Sequence, residues 1–258
     1  MNLKSKNAVV FAATGAIASG VARKLAHEGA QVFVSGRNKA ALDKLVGEIK
    51  AAGGKATAHV VDATNEAAIE AYVSNVAAEV GHIDIAFNGI GGHPVDLGYP
   101  EPSVTTSFEH FMKPLQIVLG STFLTSRAVG KQMVKQGSGA IVTLSATLSG
   151  MTAANMAGIS AACGGIEAMT RALAGEFGPA GVRVNCVRGS GMPETRTIQE
   201  TVAGQIAVTG KPFNLNLPPL GRPITVAETA ATAAFLASDD ASGMTGQIVT
   251  VCAGAFVG

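Results

Sequence analysis

Tryptophan is absent and tyrosine occurs twice, so aromatic residues make up only 5% of the chain. Aliphatic side chains and close backbone approach must then fill the core, and 32 glycines allow such approach. The three cysteines, Cys163, Cys186 and Cys252, are odd in number and widely spaced, which excludes a disulfide framework and the usual zinc spacings. No metal site is expected. Charged residues are only 14%, with a formal net charge of +1 and no acidic or basic block. Neither nucleic acid nor an anionic membrane surface is therefore an expected partner. No run is apolar for long enough to cross a bilayer. The opening MNLKSKNAVVFAATG reads directly into a strand, without a separate signal segment. The expected location is cytoplasmic.

What is present is a 47% hydrophobic chain of 258 residues, long enough to bury a large core and expected to form a single domain over 1–258. Short apolar runs recur at 8–13, 31–35, 57–61, 83–88, 139–145, 182–187 and 247–251. Segments of helical period separate them, such as GVARKLAHEG and AALDKLVGEIKAAGG. Continuous apolar strands alternating with helices predict an α/β fold with a parallel sheet buried on both faces. Right-handed crossovers make it doubly wound, with ligands at the carboxyl ends of the strands. The stretch 209–223, TGKPFNLNLPPLGRP, is too rich in proline and asparagine for a regular element. It reads either as a lid over the crevice or as a plain surface connection.

The segments ALAGEFGPAGVRVNCV (172–187) and PLGRPITVAETAATAAFLASDDASGMTGQIVTV (219–251) resemble the short-chain dehydrogenase/reductase family. Asp62 after the third strand and Asn88 after the fourth fall where that family places an Asp and an Asn. The resemblance covers essentially the whole chain. It implies a Rossmann-type fold with a seven-stranded parallel sheet flanked by helices, and a nominal NAD(P)-dependent oxidoreductase.

The family opens with TGxxxGxG, whose glycines allow a tight turn, close approach to the pyrophosphate and close helix–strand packing. Here Phe11-Ala12-Ala13-Thr14-Gly15-Ala16-Ile17-Ala18 stands in its place, with all three motif glycines replaced by alanine. Ala16-Ile17-Ala18-Ser19-Gly20-Val21-Ala22 resembles the enoyl reductase branch, which binds dinucleotides with an alanine in the third slot. The turn either cradles the pyrophosphate at the helix N-terminus or only packs the first helix. Arg37 ends the second strand where an acidic residue would hold the ribose 2′-hydroxyl. Its planar fork suits a 2′-phosphate, favouring NADP(H) over NAD(H). The bland alternative is an exposed loop arginine. Asp62, with Ala63, resembles the adenine contact, or Asp62 caps the helix that follows. Asn88 and Gly91 match the family's Asn-Asn-Ala-Gly motif, while Gly89 and Ile90 depart from it. The expected cofactor-binding set is Ala12, Thr14, Gly15, Ile17, Arg37, Asp62, Ala63, Asn88 and Gly89.

The family's reaction uses Asn, Ser, Tyr and Lys. The resemblance puts Val118, Ala146, Ile159 and Cys163 at those positions, and none can perform the family's task. Losing a positioned general acid costs about 10²- to 10⁴-fold in rate. Ser145, Thr147 and Ser160 flank these positions and read as structural hydroxyls. Cys163 reads as a small packing residue, without a basic neighbour to ionise it. His93, in the loop after the fourth strand, is the nearby group able to exchange a proton near neutral pH. It is either the surrogate catalytic residue or a solvated loop histidine. Arg188 and Ser190 stand at the family's Pro-Gly turn, and Arg188 reads as a site for an acidic ligand or a phosphate.

Three functions remain open: an NADP(H)-binding oxidoreductase with atypical or lost catalytic machinery, a non-redox isomerase or cyclase, and a silent binding or partner subunit. The small-residue helix MTAANMAGISAACGGIEAMTRALAGEF suits a homodimer or homotetramer, or a hetero-oligomer with an active relative. The small-molecule ligand is not named by the sequence.

Overall fold

The structure, a computed structural model, describes residues 1–211 and 217–256. Its strands are β1 (Asn7–Phe11), β2 (Gln31–Gly36), β3 (Lys55–Val60), β4 (Ile85–Asn88), β5 (Gly139–Ala146), β6 (Val182–Gly189) and β7 (Ile248–Val251). All pair in parallel, in one sheet of order β3-β2-β1-β4-β5-β6-β7. The apolar runs thus become the expected seven-stranded, doubly wound sheet. The strand order reverses between β1 and β4, so the carboxyl ends of these two strands border the crevice where such folds take ligands.

The helices are α1 (Ala16–His27), α2 (Lys39–Ala51), α3 (Glu66–Val80), α4 (Phe108–Pro114), α5 (Ser121–Gln136), α6 (Ala157–Phe177), α7 (Arg196–Thr209) and α8 (Val226–Ala237). The strand period of two divides the core. Val10, Val32 and Val34 face α1, α2 and α8, while Val9, Phe11 and Phe33 face α3, α5 and α6. With so few aromatics, close approach replaces bulk. A Cβ on Gly130 of α5 would stand 2.6 Å from the ring of Phe177 on α6.

The boundaries follow local chemistry. Asn38, Asn65 and Thr195 cap α2, α3 and α7 through their side chains, and Thr225 with Glu228 forms a reciprocal capping box on α8. Arg183 on β6 reaches the last carbonyls of α8, donating to Leu236 O at 2.7 Å and Ser238 O at 2.9 Å. Pro114 has no N–H to give, and beyond it the chain widens into a π-turn over Leu115–Gly120 before α5 resumes.

Of the irregular stretch expected at 209–223, residues 212–216 lie outside the described residues, and with them the choice between lid and connection. Its first residue closes α7, a helix that buries only Thr201. Among the described residues, no helix is long and apolar enough to cross a membrane.

Candidate functional site

The β1–α1 turn keeps the backbone of a glycine turn without the glycine. Ala12 sits at φ 53, a left-handed conformation that costs a residue with a Cβ about 1–2 kcal/mol. The strain is held by hydrogen bonds on either side: Gly15 N donates to Ala12 O at 3.0 Å and Ala13 N to Ser35 O at 2.8 Å. Thr14 and Gly15 are exposed at the tip. Gly15 is the N-cap of α1 and supplies no side-chain bond. The first-turn N–H groups and the positive end of the helix dipole are therefore open to an anion.

Ala18, at the third motif position, is buried against a counterpart change on β4. A Cβ on Gly89 would lie 2.7 Å from the Ala18 Cβ and 2.8 Å from Phe87 Cε1. The Ala18 methyl and the Phe87 ring thus fill the space that a side chain at 89 would need. Ile17 is half-buried beside Met192 and Ile224, bridging the turn to the segment after β6.

Arg37 is exposed, and makes no hydrogen bond or ion pair among the described residues. Asp62 Oδ1 accepts from Thr64 N at 2.9 Å and from Thr64 Oγ1 at 2.8 Å. These bonds hold its carboxyl below the ordinary range against the opposing effect of burial, with a lesser pull from the charge of Arg37. Asp62 does not cap α3; that position belongs to Asn65, whose Oδ1 accepts from Ala68 N. Ala63 is half-buried beneath it, against the α3 side of the core. Asn88 is buried. Its Nδ2 donates to Ser126 Oγ at 2.7 Å, and its Oδ1 has no partner among the described residues.

At the other end of the crevice, the four positions that the resemblance assigns to the family's tetrad meet. Val118 from the π-turn, Ala146 at the end of β5, and Ile159 and Cys163 on α6 lie in one apolar cluster with Leu97, Met156 and Ile166. Val118, Ile159 and Cys163 are each at most 7% exposed. Burial pushes the Cys163 thiol up to about 11, despite a bond from the Ala146 backbone, so it is neutral and unreactive. Ser145, flanking Ala146, points elsewhere: its hydroxyl donates to Glu167 Oε1 at 2.8 Å.

His93 is not in this cluster. It lies at the rim, its side chain about half exposed, with Nδ1 3.0 Å from Glu200 Oε2 on α7. Arg196 Nε donates to the other Glu200 oxygen at 2.5 Å. Desolvation pushes the Glu200 carboxyl up, but Arg196 and His93 outweigh it and hold it below the ordinary range. The His93 contact joins the β4–α4 loop to α7.

Arg188 already has an acidic partner within the chain. Its Nε and Nη2 form a fork on Glu167 at 2.8 and 2.6 Å, with both side chains under a tenth exposed. Ser149 Oγ donates to the same carboxylate at 2.6 Å, and the guanidinium stacks 5.0 Å from the Phe256 ring centroid. Burial raises the Glu167 pKa, but Arg188, Ser149 and Ser145 together pull it below the ordinary range.

Two residues absent from the sequence reading belong to this region. Glu167 lies one turn beyond Cys163 on the buried face of α6, where helical spacing of an isolated acid was a visible signal. Tyr99 comes from the long β4–α4 loop and is buried in the same apolar cluster as Ile159 and Cys163; no local pattern announced it.

A family model described as Enoyl-(Acyl carrier protein) reductase matches residues 11–255. An uncharacterized oxidoreductase of Bacillus subtilis, YxbG, is 32% identical over 98% of this chain and 91% of its own length. A xylitol dehydrogenase solved with NAD+ superposes with a TM-score of 0.91 at 28% identity, covering 98% of this chain and all of its own. A putative NAD(P)-dependent gluconate 5-dehydrogenase from Beutenbergia cavernae, solved with NADP, gives a TM-score of 0.84 at 29% identity, covering 98% and 97% of the two chains.

Proposed function

The chain belongs to the short-chain dehydrogenase/reductase family, and on that premise we propose that it is an NADP(H)-binding oxidoreductase with atypical catalytic machinery, slow at the family's carbonyl–alcohol exchange. One observation carries this reading: Val118, Ile159 and Cys163, from the π-turn and α6, are buried in one apolar cluster, and the half-buried Ala146 at the end of β5 packs against it.

The dinucleotide end fits its group. The uncapped first turn of α1 would receive the pyrophosphate, with Thr14 and Gly15 at the tip. Arg37, unpaired and exposed, would meet a 2′-phosphate with its donor fork. Asp62 and Ala63 would border the adenine. A bound dinucleotide supplies hydride chemistry to the fold; the protein's part is to bind, orient and move a proton. That last task is where this chain departs. An apolar corner disfavours the negative charge that develops on a carbonyl oxygen, and the neutral Cys163 offers no cation to assist.

Calorimetric titration with NADPH and NADH tests the reading. NADPH binding in the micromolar range, tighter than NADH, is the expected result, together with little NADPH oxidation on simple ketones. Absence of binding for both at millimolar concentration would remove it. A silent subunit is the second reading, supported by the exposed small residues Ala161, Ala168, Ala172 and Gly175 on α6. Light scattering that finds only monomer would count against assembly through that face.

A further inference from the structure

The apolar layer between the sheet and α3 contains an imidazole. His59, on β3, turns its ring toward Phe33 of β2 and Tyr72 of α3, with ring centroids 6.1 and 5.1 Å away. Phe11 of β1 completes the group, edge-on to Tyr72 at 5.7 Å. The Tyr72 hydroxyl is committed to Phe33 O at 2.9 Å. The His59 Nε2 is enclosed and has no hydrogen-bond partner among the described residues. A neutral imidazole can leave that nitrogen a bare acceptor, with its proton on Nδ1. The protonated ring has no such choice. It places a charged N–H donor where nothing accepts it, and an enclosed, unpaired charge is costly.

The charged neighbours give little relief. β2 carries no ionisable side chain, and β3 adds only the exposed Lys55 at its start. On α3, Glu66 and Glu70 are engaged by Arg127 and Lys131 of α5, and Tyr72 is pushed far up by burial and stays neutral. Glu79, in the last turn of α3, favours the charged ring, but burial outweighs it and holds the imidazole below its ordinary value. The strand itself is lightly held. β3 is an edge strand, paired with β2 alone. Just past the pair, Val61 N donates to Gly36 O at 3.0 Å. Asp62 follows Val61 directly, and Arg37 follows Gly36. The imidazole and the nucleotide end thus share one strand pair.

We propose that His59 is a proton-operated catch: neutral, it lets β3 and α3 close around Phe33 and Tyr72; protonated, it loosens the edge strand and with it the grip of Arg37 and Asp62 on a dinucleotide. The part that concerns the dinucleotide rests on the cofactor reading above. The direction follows from linkage. The folded chain takes up this proton less readily than the unfolded one. The contribution of His59 is therefore complete above the ordinary 6.5 and is lost as the pH falls through that value. A single proton can shift the folding equilibrium by at most about 10-fold per pH unit.

The test uses the full chain and two variants that take up no proton at this position, His59→Phe and His59→Gln. In ring-proton NMR the His59 signal is identified by its loss in the variants, and in the wild type it should titrate below 6.5. In urea unfolding from about pH 7.5 to about pH 5.5, the folding equilibrium constant of the wild type should fall about 10-fold further than that of either variant. Calorimetric titration over the same range should show NADH affinity falling about 3- to 10-fold further in the wild type; NADH is used beside NADPH because it has no 2′-phosphate to titrate there. A His59 midpoint at or above 6.5, or acid-side declines that run parallel in all three chains, would overturn the proposal. So would nucleotide affinity that follows pH identically in wild type and variants. If neither nucleotide binds at any pH, the cofactor reading falls instead, and the NMR and unfolding results still decide whether His59 is the catch.

Discussion

The β1–α1 turn and the corner beneath α6 are the two places where the resemblance expects the family's motif glycines and tetrad, and the residues found there sit in environments that differ in kind. At the turn each change adds one methyl. The backbone keeps its path: Ala12 holds a left-handed φ of 53, and Ala18 is accommodated because Gly89 has no Cβ to oppose it. In the proposed reading the groups that meet the cofactor at this end are main-chain N–H groups, which alanine leaves in place. At the corner the working groups are the side chains themselves, and Val118, Ala146, Ile159 and Cys163 close over one another as core. A site made of backbone tolerates substitution that a site made of side chains does not.

The sharpest way to break this contrast is at the buried pair that borders the corner. Glu167→Ala removes the carboxylate that both Nε and Nη2 of Arg188 engage and should destabilise the protein by about 3 kcal/mol in chemical unfolding. Exchanging both residues for methionine should recover most of the loss; a Glu167→Ala variant as stable as the wild type would show that the pair contributes nothing. The same carboxylate sets a pH dependence. Its pKa in the folded state is below the ordinary 4.5, so its contribution is complete above pH 4.5 and is lost as the pH falls through and below that value. Unfolding of Glu167→Gln should lack this acid-side decline.

At the nucleotide end the expected effects are smaller. Arg37→Ala should weaken NADPH by about 10-fold and leave NADH unchanged, as expected of charge-assisted bonds to a 2′-phosphate; equal weakening of both would argue against that contact. Gly89→Ala should cost about 1–3 kcal/mol through overpacking, and Ala18→Gly in the same chain should restore it. Additive effects in that double-mutant cycle would show that the two positions are independent. Smallest is Ala12→Gly. Relief of about 1–2 kcal/mol of strain is partly offset by about 0.5–1 kcal/mol of added chain entropy, for a net gain of about 0.5–1 kcal/mol in a thermal melt.

The architecture was legible because parallel strands buried on both faces are continuous apolar runs, and all seven runs lie within two residues or so of a strand. Convergence of the four substituted positions was legible from the resemblance alone, since only the fold brings 118, 146, 159 and 163 together. The environment of polar groups was harder to read. Asp62 read either as the adenine contact or as a helix cap, and the cap fell three residues on, because the Asn65 side chain is correctly placed for Ala68 N. Arg188 looked open to an acidic ligand, yet its partner came from α6, at a separation that spacing rules do not address. His93 sits in the expected loop, but α7 supplies the carboxylate that engages it. That Tyr99 packs in the same cluster as Ile159 and Cys163 was not legible, because a loop has no period from which to infer a buried direction.

The strand order has a consequence for how the chain is made. β1 lies in the interior of the sheet, flanked by β2 and β4. As synthesis proceeds from the N-terminus, β2 can join one edge of β1 early, and β3 can follow on β2. The opposite edge stays bare until Ile85–Asn88 emerges, and β5 to β7 then add outward one at a time. For that interval the nascent chain displays an apolar strand edge, the kind of surface that invites pairing with another chain. Ribosome-bound fragments ending before Ile85 should therefore depend more on chaperones than fragments that include β4 and β5.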